Sequence, residues 1–135
     1  MKLKEKDSLV NVVVCSDKEN IFMSTRLGKC VRFSCKDLRV FSGRSSVGVR
    51  GVKLSNTDSI ISLAILNGFD FVVEERDEYL KICSAERKNE KIEREILDEK
   101  KYSLLKENEE FILSVTDKGF GKRSSSYEYR KTSRG

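Results

Sequence analysis

Apolar and polar residues alternate along the first half of the chain in short bursts. Val10–Cys15 is a β-branched run, and the turn-forming Ser16, Asp17, Lys18, Glu19 and Asn20 follow it. Ile21–Ser24 and Cys30–Phe33 then flank Arg26, Leu27 and Gly28, a pattern that predicts a hairpin whose tip needs the positive φ that glycine tolerates. Residues 38–41, 47–54 and 59–66 read as further short strands between turn signals. Val12, Val14, Phe22, Val31, Phe33, Val40, Ile61, Leu63, Ile65, Ile112 and Leu113 are the expected core.

The period changes after residue 73. Residues 74–107 contain no Gly and many Glu and Lys, with Leu80, Cys83, Ile92, Ile96 and Leu97 three to four positions apart, which predicts helix with a thin apolar stripe. From Phe111 the strand pattern returns, with a turn at Asp117–Gly119 and another strand from Gly121.

The second stretch of strand repeats the first. An offset of 91 residues aligns Gly28 with Gly119, and with them Ile21 with Ile112, Phe22 with Leu113, Thr25 with Thr116, Arg32 with Arg123 and Arg39 with Arg130, over nineteen positions without a gap. Stacked β units usually recur every 40–50 residues or so. Removing residues 70–110 brings the offset to 50, so that segment reads as an insertion between two copies. The expected domains are 1–69, a β unit; 70–110, an acidic helical insertion; and 111–135, the start of the next β unit.

At 135 residues the chain has the size of one ordinary domain, and 36% of its residues are charged, against a usual figure of about 25%. Charge is unevenly placed. Residues 1–69, 70–110 and 111–135 carry +6, −5 and +4, so the net +5 conceals two basic flanks around an acidic middle. Basic flanks point to a polyanion partner.

The chain has no histidine, which removes the commonest general base and every Ser/His/Asp or Cys/His arrangement. Cys15, Cys30, Cys35 and Cys83 include no CxxC pair, and no histidine is present to complete a tetrahedral zinc set, so they read as reduced thiols; no metal and no cofactor is expected. No apolar stretch approaches the roughly 18 residues that cross a bilayer, and none after Lys2, Lys4 and Lys6 makes a signal peptide. No membrane partner and a cytoplasmic location are the default expectation.

The strings TRLGKCVRF (25–33), GRSSVGVRGVKL (43–54) and VTDKGFGKRSSSYEYRKTSRG (115–135) resemble the blade motifs of the C-terminal domain of DNA gyrase A subunits, with GVRG and GFGKR the most specific pieces. The resemblance covers residues 9–69 and 111–135. It implies a mainly β fold, a partial β-pinwheel of about two blades in which a complete family domain has around six, and hence a fragment. It also implies a noncatalytic DNA-binding and DNA-wrapping part of a type IIA topoisomerase that supports ATP-dependent negative supercoiling by the whole enzyme. The implied partners are double-stranded DNA, the remainder of the A subunit and the B subunit. The family's Gln-Arg-Arg-Gly-Gly-Lys-Gly box and the active-site tyrosine region are not found, so no cleavage or religation site is expected in this chain.

The expected phosphate contacts are Lys29, Arg32, Arg44, Arg50, Lys122, Arg123, Arg130 and Arg134, with Arg39 and Lys53 behind them. Gly48 and Gly51 would let the backbone approach a phosphate. Tyr127 and Tyr129 lie near Arg130, where they could meet DNA, but their alternation with Ser126 and Glu128 favours core packing. Two alternatives remain open: a protein-interaction module that uses the acidic helices, and the equivalent domain of topoisomerase IV.

Overall fold

A computed structural model describes residues 3, 5, 7–43 and 45–134. The chain divides into two compact units: residues 1–68 with 130–135, and residues 69–129. Both differ from the expected boundaries, because 111–129 fold with the helices while the last residues return to the first unit.

The first unit is built on an antiparallel sheet of β1 (Asn20–Thr25), β2 (Cys30–Ser34) and β3 (Ile60–Leu66), in the order β2-β1-β3. β1 is central, with Ile21 opposite Phe33 on one side and Ile65 on the other. Ile21, Phe33 and Cys35 form the buried cluster, and Met23, Val31, Leu38, Leu63 and Ile65 pack around it. A one-turn 3-10 helix, Cys35–Asp37, closes the hairpin. Beyond it, Lys131 makes a parallel bridge with Arg32, and the Thr132 N–H donates to the Arg32 carbonyl at 2.8 Å.

Residues 10–15, 38–41 and 47–54 do not form the expected strands. Apolar alternation suits a pleated strand, but a strand exists only where a neighbour completes the ladder. Val12, Val14 and Val40 are accordingly exposed. Ile61 is also exposed, because the β1–β3 register shifts between Ser24 and Thr25: Ser24 faces Ser62 and Thr25 faces Ile60, which leaves Ile61 in a bulge.

The second unit holds α1 (Val73–Arg87), α2 (Glu99–Glu107) and a two-stranded antiparallel sheet of β4 (Phe111–Val115) and β5 (Gly121–Ser125), which ends in a second 3-10 turn, Ser126–Glu128. Its core is Tyr79, Ile82, Leu97, Tyr102, Leu105 and Tyr127. Tyr79, Tyr102 and Tyr127 stack in tilted or edge-on pairs, with ring centroids 5.4 and 5.7 Å apart. Each hydroxyl finds an acceptor: Glu109 for Tyr79 at 2.9 Å, Glu86 for Tyr102 at 2.8 Å, and the Leu105 carbonyl for Tyr127 at 2.9 Å. Burial pushes the Tyr79 and Tyr102 hydroxyls well above the ordinary range, and these acceptors add to it. Tyr127 is therefore a core residue, but in a 3-10 turn rather than on an alternating strand, with Ser126 buried beside it. Leu113 is exposed, since β4 has a strand on one side only.

The expected helix over 74–107 is interrupted at residues 88–98. Asn89 adopts φ 58° and its N–H donates to the Glu86 carbonyl, a left-handed helix stop. Asp98 restarts the helix by accepting from the Lys101 N–H at 2.7 Å. Between them, the buried Glu78 carboxylate accepts from the backbone N–H groups of Glu95, Ile96 and Leu97, the last two at 2.9 and 2.7 Å. Ile92 and Ile96 of this loop are exposed and only Leu97 turns inward.

These hydrogen bonds, that from Glu95 foremost, outweigh desolvation and hold the Glu78 carboxyl below its ordinary value of 4.5. A depressed carboxylate stabilises the fold fully above its unfolded pKa, and loses that contribution as pH falls through the folded one. Acidification below about pH 4.5 is expected to loosen the 88–98 loop. Glu78→Gln should lower the melting midpoint at pH 7 and flatten its pH dependence; circular dichroism melts at pH 7 and 3.5 measure both, and an unchanged slope would refute the role.

Candidate nucleic-acid interface

The two hairpins are one design at the level of individual hydrogen bonds. Around the first tip, Thr25 donates its N–H to the Lys29 carbonyl at 2.8 Å and accepts from the Gly28 N–H at 3.0 Å, while its hydroxyl accepts from the Lys29 N–H at 3.1 Å. Around the second, Thr116 makes the same three bonds with Phe120 and Gly119, at 2.9, 3.0 and 3.2 Å. Gly28 and Gly119 have φ of 83° and 82°, which side chains with a Cβ rarely adopt. The agreement extends to the strand ends, where Cys35 N–H bonds the Glu19 carbonyl and Ser126 N–H bonds the Glu110 carbonyl. Ser34 and Ser125 cap the two 3-10 turns in the same way.

The first tip is braced further by Asp58, which accepts from the N–H groups of Leu27 at 3.0 Å and Ser59 at 2.9 Å. Desolvation acts to raise its pKa, but bonds from the Thr25 hydroxyl and these two amides bring it below the ordinary carboxylate value. This braced tip presents Lys29, which is exposed, and beside it Arg26, also exposed. Sequence reasoning misses Arg26 because the repeat aligns it with Asp117; the second tip carries its cation one place along, at Lys118.

The expected cations have different fates. In the first unit Lys29, Arg50 and Arg130 are exposed, while Arg134 is half-buried and donates to the Asp37 carbonyl at 3.1 Å. Arg32 departs from expectation: it is 4% exposed, and its guanidinium donates to the Asn67 carbonyl at 3.1 Å. It is a structural residue rather than a surface cation: its side chain is tied to the carbonyl that follows β3, and its backbone to residues 131–132. Arg44 lies outside the described residues. Of the weaker candidates, Arg39 is exposed with its guanidinium 5.6 Å from the Phe41 ring centroid, and Lys53 is exposed.

In the second unit Lys122 is exposed, 3.6 Å from the Glu128 carboxylate, and Arg123 is exposed with its guanidinium 3.5 Å from the Phe111 ring centroid. Gly48, in the first unit, has φ 76°, as a tight turn needs, but Gly51 serves packing: a Cβ there would stand 3.0 Å from the Met23 sulfur.

Arg32 and Arg123 occupy one repeat position with opposite surroundings, so their alanine variants should part. Arg32→Ala is expected to cost about 2 kcal/mol of stability, the worth of a charged hydrogen bond with its packing. Arg123→Ala should cost under about 1 kcal/mol, as an exposed cation–π contact does. Thermal denaturation of both variants decides this; equal losses would sink the contrast.

Charge follows the division of the chain. The first unit has fifteen Lys/Arg and six Asp/Glu, and the second twelve and sixteen, so nets of +9 and −4 make up the overall +5. Among the described residues no group of three His, Cys, Asp or Glu could hold a metal ion, and no helix is long and apolar enough to cross a membrane.

Propellers are built by repeating one antiparallel β unit, and a hairpin repeated bond for bond is compatible with that architecture. The family model described as DNA gyrase C-terminal domain, beta-propeller, matches residues 1–16, 19–67 and 110–135, and the chain belongs to that family. The match omits the stretch that contains α1 and α2. The chain is 44% identical to the DNA gyrase A subunit of Rickettsia bellii over 143 residues and 40% identical to that of Granulibacter bethesdensis over 156, each covering all of this chain. It is 29% identical to the corresponding gyrase protein of Nocardioides sp. over 97% of its length. The chain spans 16–17% of the Rickettsia and Granulibacter proteins. No solved structure matches it.

Proposed function

We propose that the chain is the noncatalytic DNA-binding and DNA-wrapping part of a DNA gyrase A subunit, acting on duplex DNA. On this reading it works in the cytoplasm with the rest of that subunit and with the B subunit, and supports ATP-dependent negative supercoiling by the whole enzyme. The observation that supports it best is the +9 of the first unit, which includes the exposed Lys29, Arg50 and Arg130. Such cations gain affinity by releasing the counterions condensed on phosphates, and they read no bases. Bending a short duplex costs on the order of 1–6 kcal/mol, so wrapping needs several such contacts at once.

Duplex binding should therefore be indifferent to sequence and steep in salt. About four phosphate contacts give a log–log slope near −3.6, or roughly a 100-fold loss of affinity between 50 and 200 mM salt. Lys29→Ala and Arg50→Ala should each reduce the slope by about 1. Fluorescence anisotropy with duplexes of two unrelated sequences measures this. A flat salt dependence, or a strong preference for one sequence, would overturn the reading.

A further inference from the structure

We propose that Asp58, although an anion, is a positioning residue for DNA: its carboxylate holds the first hairpin tip, and with it Arg26 and Lys29, in the arrangement that receives a phosphate backbone. It does so without touching DNA. The role presupposes that the exposed cations bind duplex DNA, as inferred above. One carboxylate oxygen, Oδ1, accepts from the N–H groups of Leu27 at 3.0 Å and Ser59 at 2.9 Å. The Ser59 carbonyl in turn accepts from the Arg26 N–H at 2.8 Å. Two consecutive amides of the tip are therefore held by two consecutive residues that reach it from the far side of the sheet sequence. Asp58 is itself fixed from both directions. Its N–H donates to the Ser55 carbonyl at 3.1 Å, and β3 starts two residues later, where Ile60 pairs with Thr25. Thr25 closes the tip onto Lys29 through its N–H and its hydroxyl. One frame of bonds thus links the turn at 55–58, the carboxylate, and the backbone of both cations.

The second hairpin shows what this carboxylate is not needed for. Its tip has the same three threonine bonds and the same positive-φ glycine, yet the amides of Asp117 and Lys118, which match those of Arg26 and Leu27, are bonded by no carboxylate among the described residues. The turn folds without the brace. The brace occurs at the tip that carries two cations, Arg26 and Lys29, and not at the one where Lys118 stands alone and phenylalanine replaces the second. A carboxylate close to a cationic tip repels phosphate, so it weakens binding unless the order it imposes outweighs that repulsion. Order imposed beforehand spares the complex the entropy of freezing the tip.

The test measures duplex binding by fluorescence anisotropy for the parent chain, Asp58→Asn and Asp58→Ala, and for Asp58→Ala in a chain that also carries Arg26→Ala and Lys29→Ala. Asparagine keeps an acceptor oxygen and loses the charge; alanine loses both. Asp58→Asn is expected to bind at least as tightly as the parent, and Asp58→Ala about fivefold more weakly, a loss that shrinks below about twofold once the two tip cations are gone. Tighter binding by both variants, as for a plain anion beside cations, would overturn the assignment, and so would an alanine loss that persists undiminished without Arg26 and Lys29. Amide hydrogen exchange in the parent chain needs no variant to fold: corrected for intrinsic rates, the Leu27 amide should exchange at least about tenfold more slowly than the matching Lys118 amide, and equal rates would refute the brace. A steep salt dependence in the parent with identical binding by all Asp58 variants refutes the role of Asp58 alone; a flat one refutes duplex binding, and this role with it.

Discussion

Gly68→Ala is expected to collapse the first unit's stability. A Cβ at this position would lie 1.6 Å from the Lys18 carbonyl oxygen, 2.7 Å from its carbon and 3.3 Å from the Glu19 Cα. All three are backbone atoms, so no side chain can swing aside and the chain itself must move. Movement here propagates, because the neighbouring Asn67 carbonyl accepts from the buried Arg32 guanidinium at 3.1 Å and from the Asn20 side chain at 3.4 Å. Drawing that carbonyl away withdraws an acceptor from a charge that water scarcely reaches. Overpacking with such a knock-on costs about 3 kcal/mol or more, a large share of the 5–15 kcal/mol or so that holds a domain folded. The melting midpoint should fall by about 10–20 °C. Gly43→Ala is the control: nothing lies within 4 Å of the added Cβ and the change should stay within about 0.5 kcal/mol. If the two variants melt alike, residues 67–68 follow another path.

Tyr127→Ala should have an effect of similar size on the second unit. Tyr127 is 2% exposed, and its ring meets Phe71 edge-on at 4.8 Å and Tyr79 at 5.7 Å. Removing an aromatic ring from such a site leaves a cavity and costs about 3–5 kcal/mol. Tyr127→Phe keeps the ring and removes only the hydroxyl that bonds the Leu105 carbonyl, so about 1 kcal/mol is expected. The ratio between the two separates packing from hydrogen bonding. Loss of the α1 and α2 signal in circular dichroism at 222 nm should accompany the alanine change, and an intact helical signal at 37 °C would contradict the assigned core.

The residues that carry the repeat are legible in the sequence because their information is local. Thr25, Gly28 and their counterparts 91 positions on define a turn within five residues, and the same bonds form in both places. What is not legible depends on distant chain. Arg32 and Arg123 hold the same place in the repeat, but the guanidinium of the former is bonded to the Asn67 carbonyl thirty-five positions on, and its own carbonyl to Thr132 a hundred positions on. Val12, Val14 and Val40 carry the right pattern for strands, but pattern does not supply a ladder partner. The break between α1 and α2 likewise rests on Glu78 capturing amides seventeen to nineteen residues ahead. Glu78 reads in sequence as one more charge on a solvated face, and no helical periodicity distinguishes it from Glu74 or Glu75.

The threonine-anchored tip has an evolutionary consequence. Because its shape is written in main-chain bonds, one threonine hydroxyl and one glycine, the intervening side chains are under no obligation to the fold, and lysine at one tip can stand where phenylalanine stands at the other. A scaffold of that kind can be copied, and each copy can then be retuned in charge by single codon changes, with no relearning of how to fold.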